Sequence, residues 1–260
     1  MDNRITPIGS PLFTKTVLSS QSWLYRHPDY DSPKETQALK GHRFCVYKDH
    51  HAWSYGQLIS PLKGSSVSGY VGWMDKAALG GVTTVSHRVT ALAAPIFNNA
   101  DIKSAVAEIL PLGALIAIAP HDDKFAKCEL GYIPKIYIAE DEEGFEQDFV
   151  KVAEAHIGRP YIWAGISSEG LDCSGLVLSS LRATGRDAPR DADMQEADLG
   201  ETVSQANKRG DLVFWPGHVG IMLDDITLLH ANAYHMRVAS EPLAEAEMRI
   251  GAIRTVKRLS

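Results

Sequence analysis

The chain has 260 residues, 45% of them hydrophobic, enough for a large buried core in one sizeable domain or two to three small ones. Its net charge of -6, with basic residues dispersed rather than gathered in runs, argues against nucleic acid or an acidic membrane face as partner. No apolar stretch has the length of a signal peptide or a membrane span, and three distant cysteines, Cys45, Cys128 and Cys173, suit a reducing compartment, so a cytoplasmic location is expected.

From about Ser20 to Leu79, short apolar runs are broken by turn residues: Ser22-Trp23-Leu24-Tyr25, Arg43 to Tyr47, Trp53 to Leu58 and Tyr70 to Trp73. This pattern predicts a small all-β barrel over residues 1–80. A second barrel is expected over 81–140, with strands at Leu115 to Ala119, Lys124 to Cys128 and Tyr132 to Pro134. The two read as a degenerate repeat. Gly41 precedes Trp53 by twelve residues, Gly113 precedes Phe125 by twelve, and Gly69-Tyr70 aligns with Gly131-Tyr132 after ten extra residues in the first copy.

Acidic Glu140-Asp141-Glu142-Glu143-Gly144 then breaks the β pattern as a linker, and a third domain is assigned to 141–260. Phe145, Phe149, Val152 and Ala153 recur at helical spacing up to Gly158. A second helix is expected from Asp172, a good N-cap, with Leu176, Val177 and Leu181 on its apolar face and an end near Gly185. Strands follow at Asp211 to Trp215, Val219 to Leu223, Thr227 to His230 and Met236 to Ala239. Helices first and an antiparallel sheet afterwards make an α+β order.

The chemistry concentrates in this last part, at Leu171-Asp172-Cys173-Ser174-Gly175, Gly217-His218-Val219-Gly220 and Leu229-His230-Ala231. A thiol at a helix start meets unpaired amides and the positive end of the dipole, which favour the thiolate and can hold an oxyanion. His218 would pair with the thiol and later protonate a leaving amine, while His230 would orient His218. Cys45 and Cys128 read as packing residues, and His27, His42, His50, His51, His87, His121 and His156 as surface or hydrogen-bonded histidines. Zinc held by Cys173, His218, His230 and His235 is a second reading by ligand type, without the short paired spacing of common zinc sites.

These residues resemble the NlpC/P60 family of cysteine peptidases. The likeness runs over most of residues 145 to 260: Gly158-Arg159-Pro160-Tyr161-Ile162-Trp163-Ala164-Gly165, Leu171 to Val177, Pro189-Arg190-Asp191 with Gln195, Arg209 to Trp215, Gly217 to Gly220 and His230-Ala231. Ala164 departs from it, standing where the family usually has a second glycine. Glu35 to Leu39, Trp53 and Gly69 to Trp73 are similar to the bacterial SH3 domains that precede such catalytic domains.

The resemblance implies a papain-like domain behind two SH3-like barrels and hydrolysis of the bond between γ-D-glutamate and a diamino acid in murein peptides with a free N-terminal L-alanine. The substrate class is a tripeptide or longer stem peptide, the process wall-peptide recycling, and neither metal nor cofactor is required. Glu35 and Tyr70, with Asp172 and Ser174, would surround the amino group; each has a structural reading too, Asp172 as a helix cap, Glu35 as a surface acid and Tyr70 as a barrel-core aromatic. Tyr161 reads either as a hydroxyl offered to the oxyanion or thiol, or as packing under the cleft. A non-catalytic wall-peptide binding module and a thioester-forming acyltransferase are the competing functions. Oligomeric state is not read from the sequence.

Overall fold

Strand formers separated by short turns fill the chain up to residue 140, and long helix-forming runs occur only beyond it. The computed structural model, which describes residues 2–140 and 143–259, divides at that change into two units, Met1–Phe145 and Glu146–Ser260. Asp141 and Glu142 of the expected linker lie outside the described residues.

In the first unit, β1 (Phe13–Val17), β2 (Gln21–Tyr25), β3 (Lys34–Leu39), β4 (Arg43–His50), β5 (Trp53–Ile59), β6 (Val71–Asp75) and β7 (Leu79–Gly80) form one antiparallel sheet in the order β3-β2-β6-β5-β4-β1-β7. Its core side chains include Val17, Leu24, Phe44, Val46 and Met74, all fully buried. The next eight strands are β8 (His87–Val89), β9 (Ala93–Phe97), β10 (Val106–Pro111), β11 (Leu115–Ile116), β12 (Ala119–Pro120), β13 (Phe125–Cys128), β14 (Gly131–Pro134) and β15 (Ile138–Glu140). They make a five-stranded sheet, β10-β9-β14-β13-β12, and a three-stranded one, β11-β8-β15, around Val89, Ala94, Ile96, Leu110 and Ile133.

The repeat is visible in the main-chain hydrogen bonds. Gly41 N donates to Val17 O and Val17 N to His42 O; Gly113 N donates to Val89 O and Val89 N to Ala114 O. Gly41 and Gly113 sit at φ 81° and 85°, where a side chain would be strained. Both copies end in a short 3-10 turn, Lys76–Ala78 and Lys135–Tyr137. The Gly-Tyr alignment expected from sequence is three residues out. Tyr25 pairs with Trp73 and its counterpart Phe97 with Tyr132, so Gly131-Tyr132 matches Gly72-Trp73, not Gly69-Tyr70.

The two β bodies are not separate units. Leu115 N donates to Lys40 O at 2.8 Å, His42 Nε2 lies 3.4 Å from Gly113 O, and Lys40 Nζ pairs with Glu129 at 2.6 Å. These ties bind 1–80 to 81–140 within one unit.

The second unit holds α1 (Phe149–Glu154), β16 (Ile166–Ser167), β17 (Gly170–Leu171), α2 (Cys173–Arg182), α3 (Ala192–Asp198), β18 (Glu201–Val203), β19 (Leu212–Trp215), β20 (His218–Met222), β21 (Thr227–Asn232), β22 (Arg237–Pro242), α4 (Leu243–Ile250) and β23 (Thr255–Arg258). Six strands form an antiparallel sheet in the order β18-β23-β19-β20-β21-β22, and α2 packs against β20 and β21. The fold is the α+β one expected. Helix α1 is shorter than its apolar spacing suggested, because Asp148 caps it by accepting from Val150 N at 2.9 Å and starts the helix at Phe149.

Candidate active site

Helix α2 begins at Cys173 because Asp172 is extended and its Oδ1 accepts from Gly175 N at 2.7 Å. Glycine is needed at 175: a Cβ there would stand 2.0 Å from the Gly165 carbonyl oxygen. This close approach holds the helix start against the turn that carries Tyr161. The main-chain amides of Ser174 and Val219 hydrogen-bond the Cys173 sulfur. Since Val219 follows His218 on β20, the thiol sits at the end of the strand that carries the first histidine.

His218 and His230 share one face of the sheet. Trp215 is paired with His218 across β19 and β20, and Met222 with Leu228 across β20 and β21, so 218, 220 and 222 line up with 228, 230 and 232. Helix α4 covers that face through Leu243 and Ala246. The imidazoles meet, with His218 Nε2 2.8 Å from His230 Nδ1. This leaves His218 Nδ1 as the nitrogen for the thiol.

Two groups absent from the sequence reading complete the line. His230 Nε2 is 2.6 Å from Glu241 Oε1, and Arg249 from α4 donates to both Glu241 oxygens, at 2.5 and 2.8 Å. The signal was available: Ala239 is paired with His230, so extending the predicted strand by two residues puts Glu241 on the same face.

Burial governs the charges. It pushes the Cys173 thiol up to about 12, with the Asp172 carboxylate acting the same way and the two amides and Arg190 opposing. It brings His218 down to about 3, helped by His230 and Arg249, and lowers His230 as well. Arg249, ahead of His230, holds Glu241 down at about 2 against its own burial. The helix start that favours a thiolate is thus opposed by burial, which disfavours a lone charge on either Cys173 or His218.

Asp172 is heavily engaged. Oδ1 accepts from Gly175 N, Arg190 Nη1 and Ser174 Oγ, and Oδ2 from Ala164 N and Arg190 Nη2. A carboxylate has about four acceptor positions, so an incoming ammonium would have to share them with Arg190. Ser174 Oγ also accepts from Arg190 Nη1, at 3.0 Å. Arg190, which follows Pro189 in the family-like motif, balances the charge of Asp172. Tyr161 is half-buried, and its hydroxyl is pushed up by burial and then by the charge of Cys173. Trp163 is exposed.

Glu35 and Tyr70 belong to the first unit. Glu35 Oε1 accepts from Arg26 Nε at 2.5 Å, and Tyr70 is buried and close enough to act electrostatically on Arg26. Among the described residues, the group able to hold a metal ion is His230, His235 and Glu241, with donor atoms within 4.8 Å of one another. It differs from the zinc set drawn from the sequence, as Glu241 replaces Cys173 and His218.

A thiol at a helix start, held by the amide that follows the first of two linked imidazoles on neighbouring strands of an antiparallel sheet, defines an α+β domain of papain type. Residues 158–253 match the NlpC/P60 family and residues 24–79 match the bacterial dipeptidyl-peptidase SH3 domain. The chain is an NlpC/P60-domain protein with a bacterial SH3 domain ahead of that domain. It is 26% identical to dipeptidyl-peptidase 6 of Lysinibacillus sphaericus over 83% of this chain and 86% of the relative. It is also 26% identical to a γ-D-glutamyl-L-lysine dipeptidyl-peptidase of Bacillus subtilis, over 77% and 73% of the two chains. An NlpC/P60 family protein from Bacillus cereus shares the fold, with a TM-score of 0.80 at 20% identity, covering 95% of this chain and 99% of the other. These relatives support a peptidase, a hydrolase, as the class of activity.

Proposed function

We propose that the protein is a cysteine peptidase that cleaves the γ-D-glutamyl-diamino acid bond of murein peptides bearing a free N-terminal L-alanine. The observation that carries this is the direct link between His218 and His230 at 2.8 Å, which leaves His218 Nδ1 to serve a thiol held beside the next residue of its own strand. The Cys173 proton passes to His218 as sulfur attacks the γ-glutamyl carbonyl carbon. The tetrahedral intermediate collapses as the C–N bond breaks and His218 protonates the leaving amine, and water then hydrolyses the thioester with His218 as base. The first amides of α2 and the Tyr161 hydroxyl are the donors assigned to the oxyanion.

Recognition of the substrate amine within the second unit is assigned to Asp172 and Ser174 on the strength of the family resemblance, with Asp172 acting against the competition of Arg190. The free thiols of Cys45, Cys128 and Cys173 fit a reducing compartment, and the proposed role is recycling of wall peptides in the cytoplasm.

The test is product mass spectrometry on a panel of murein peptides, free and acetylated at the amine. The free tripeptide is expected to yield L-Ala-γ-D-Glu, the acetylated one to react far more slowly, and Cys173→Ala to be inactive yet folded. Cleavage that survives in the alanine variant would remove the nucleophile, and equal rates on both peptides would remove the amine pocket. Transfer to an added amine in preference to water would make the protein an acyltransferase.

A further inference from the structure

We propose that Glu241 is a positioning residue that sets the direction of proton transfer at the site, by fixing the tautomers of His230 and His218 in turn; this rests on the peptidase reading above. The argument is one of donors and acceptors. Glu241 is clamped by two Arg249 donors and is an ionised carboxylate, able only to accept. At 2.6 Å from Oε1, His230 Nε2 must carry the proton. His230 is fully buried, which keeps the ring neutral, so its Nδ1 is bare.

That bare nitrogen faces His218 Nε2 at 2.8 Å and can only accept, which makes His218 Nε2 the donor. A neutral His218 protonated at Nε2 has a bare Nδ1, the form needed to take the Cys173 proton. Reversing any one link reverses the rest. With a bare His230 Nε2, the Nδ1 hydrogen would point at His218, and His218 would present an N–H to the sulfur instead of a lone pair.

The groups that surround Glu241 strengthen the assignment. His230 comes from β21, Arg249 from α4 and His235 from the turn between β21 and β22, where its amide and Nδ1 are tied to Asn232 Oδ1 at 2.7 and 3.1 Å. In a Glu241→Ala variant, the Arg249 guanidinium and the His235 ring would be the polar groups left near His230 Nε2, and the guanidinium can only donate. A donor in place of an acceptor drives His230 to the opposite tautomer.

The experiment is nitrogen-15 NMR of the imidazoles in EDTA, on the wild type and on Glu241→Ala, paired with the rate of Cys173 alkylation by iodoacetamide. In the wild type both His218 and His230 are expected with a proton on Nε2 and a bare Nδ1. In the variant His230 is expected to move its proton to Nδ1, with alkylation and kcat falling about a hundredfold or more while KM changes less than about threefold. Acetate, entering the vacated space, is expected to restore part of the rate. A bare His230 Nε2 in the wild type overturns the proposal even if the variant does not fold. So does a folded variant with unchanged tautomers and alkylation. Wild-type protein showing the expected tautomers and fast alkylation but no peptide cleavage would support the relay while removing the proposed substrate.

Discussion

Arg190 holds Asp172 with both terminal nitrogens, Nη1 to Oδ1 at 2.9 Å and Nη2 to Oδ2 at 2.7 Å, and both side chains are buried. Removing one partner of such a pair leaves an uncompensated charge where water cannot reach it. Arg190→Met is expected to cost about 3–5 kcal/mol in urea unfolding. Adding Asp172→Asn, which keeps a capping side chain, should recover a large part of that loss; a double variant no more stable than Arg190→Met would show that the charge is not the cause.

The burial of both Cys173 and His218 predicts an unusual pH profile. Because burial moves the thiol above its ordinary 9.0 and the imidazole below its ordinary 6.5, the pair has no net charge across the whole interval between those values. The rate of Cys173 alkylation by iodoacetamide, which does not involve the substrate amine, is therefore expected to stay level between them, falling on the acid side only below 6.5. A limb of that rate inside the interval would contradict the burial argument.

Stability should also fall in acid for a reason outside the site. His156 is fully buried, its Nδ1 donates to Val152 O at 2.9 Å, and its Nε2 has no hydrogen-bond partner among the described residues. Burial lowers its affinity for a proton. The unfolded chain thus binds more protons than the folded one as pH drops below 6.5, and stability is lost in that direction. In His156→Phe, the urea midpoint should depend less on pH between 6.5 and about 4 than in the wild type. Parallel pH dependences would exonerate this ring.

Ala164 occupies a left-handed conformation, φ 66°, while its amide donates to Asp172 Oδ2 at 2.8 Å. A methyl group is strained there and glycine is not. Ala164→Gly should raise stability by about 0.5–1 kcal/mol, a melting rise of about 1–4 °C, without changing kcat. A lower melting temperature would mean that the lost methyl contacts outweigh the relieved strain.

Cys173, His218 and His230 were legible in the sequence because each stands in a local setting that a packing residue would not have: polar neighbours at a helix start, or glycines beside a strand. The barrel repeat was legible at Gly41 and Gly113, where the backbone itself demands the residue type. Its far end was not, because the segment from Ser60 to Tyr70 carries no strand to keep the count. Glu241 and Arg249 escaped notice for a different reason. Charged residues are ordinarily solvent-facing, and only the pairing of β21 with β22 turns Glu241 inward. The burial that opposes a charge on Cys173 was not legible, because the helix dipole is a local property, whereas the loss of water around the sulfur is a property of the assembled domain.

The segment from Gly158 to Tyr161 is stitched to β22 and the residue just before it by three main-chain bonds: Gly158 N to Val238 O, Val238 N to Arg159 O, and Tyr161 N to Met236 O. The same strand carries Glu241. Tyr161 and the acid at the remote end of the histidine chain are thus mounted on one continuous main-chain frame, so a displacement of this strand would be felt at both.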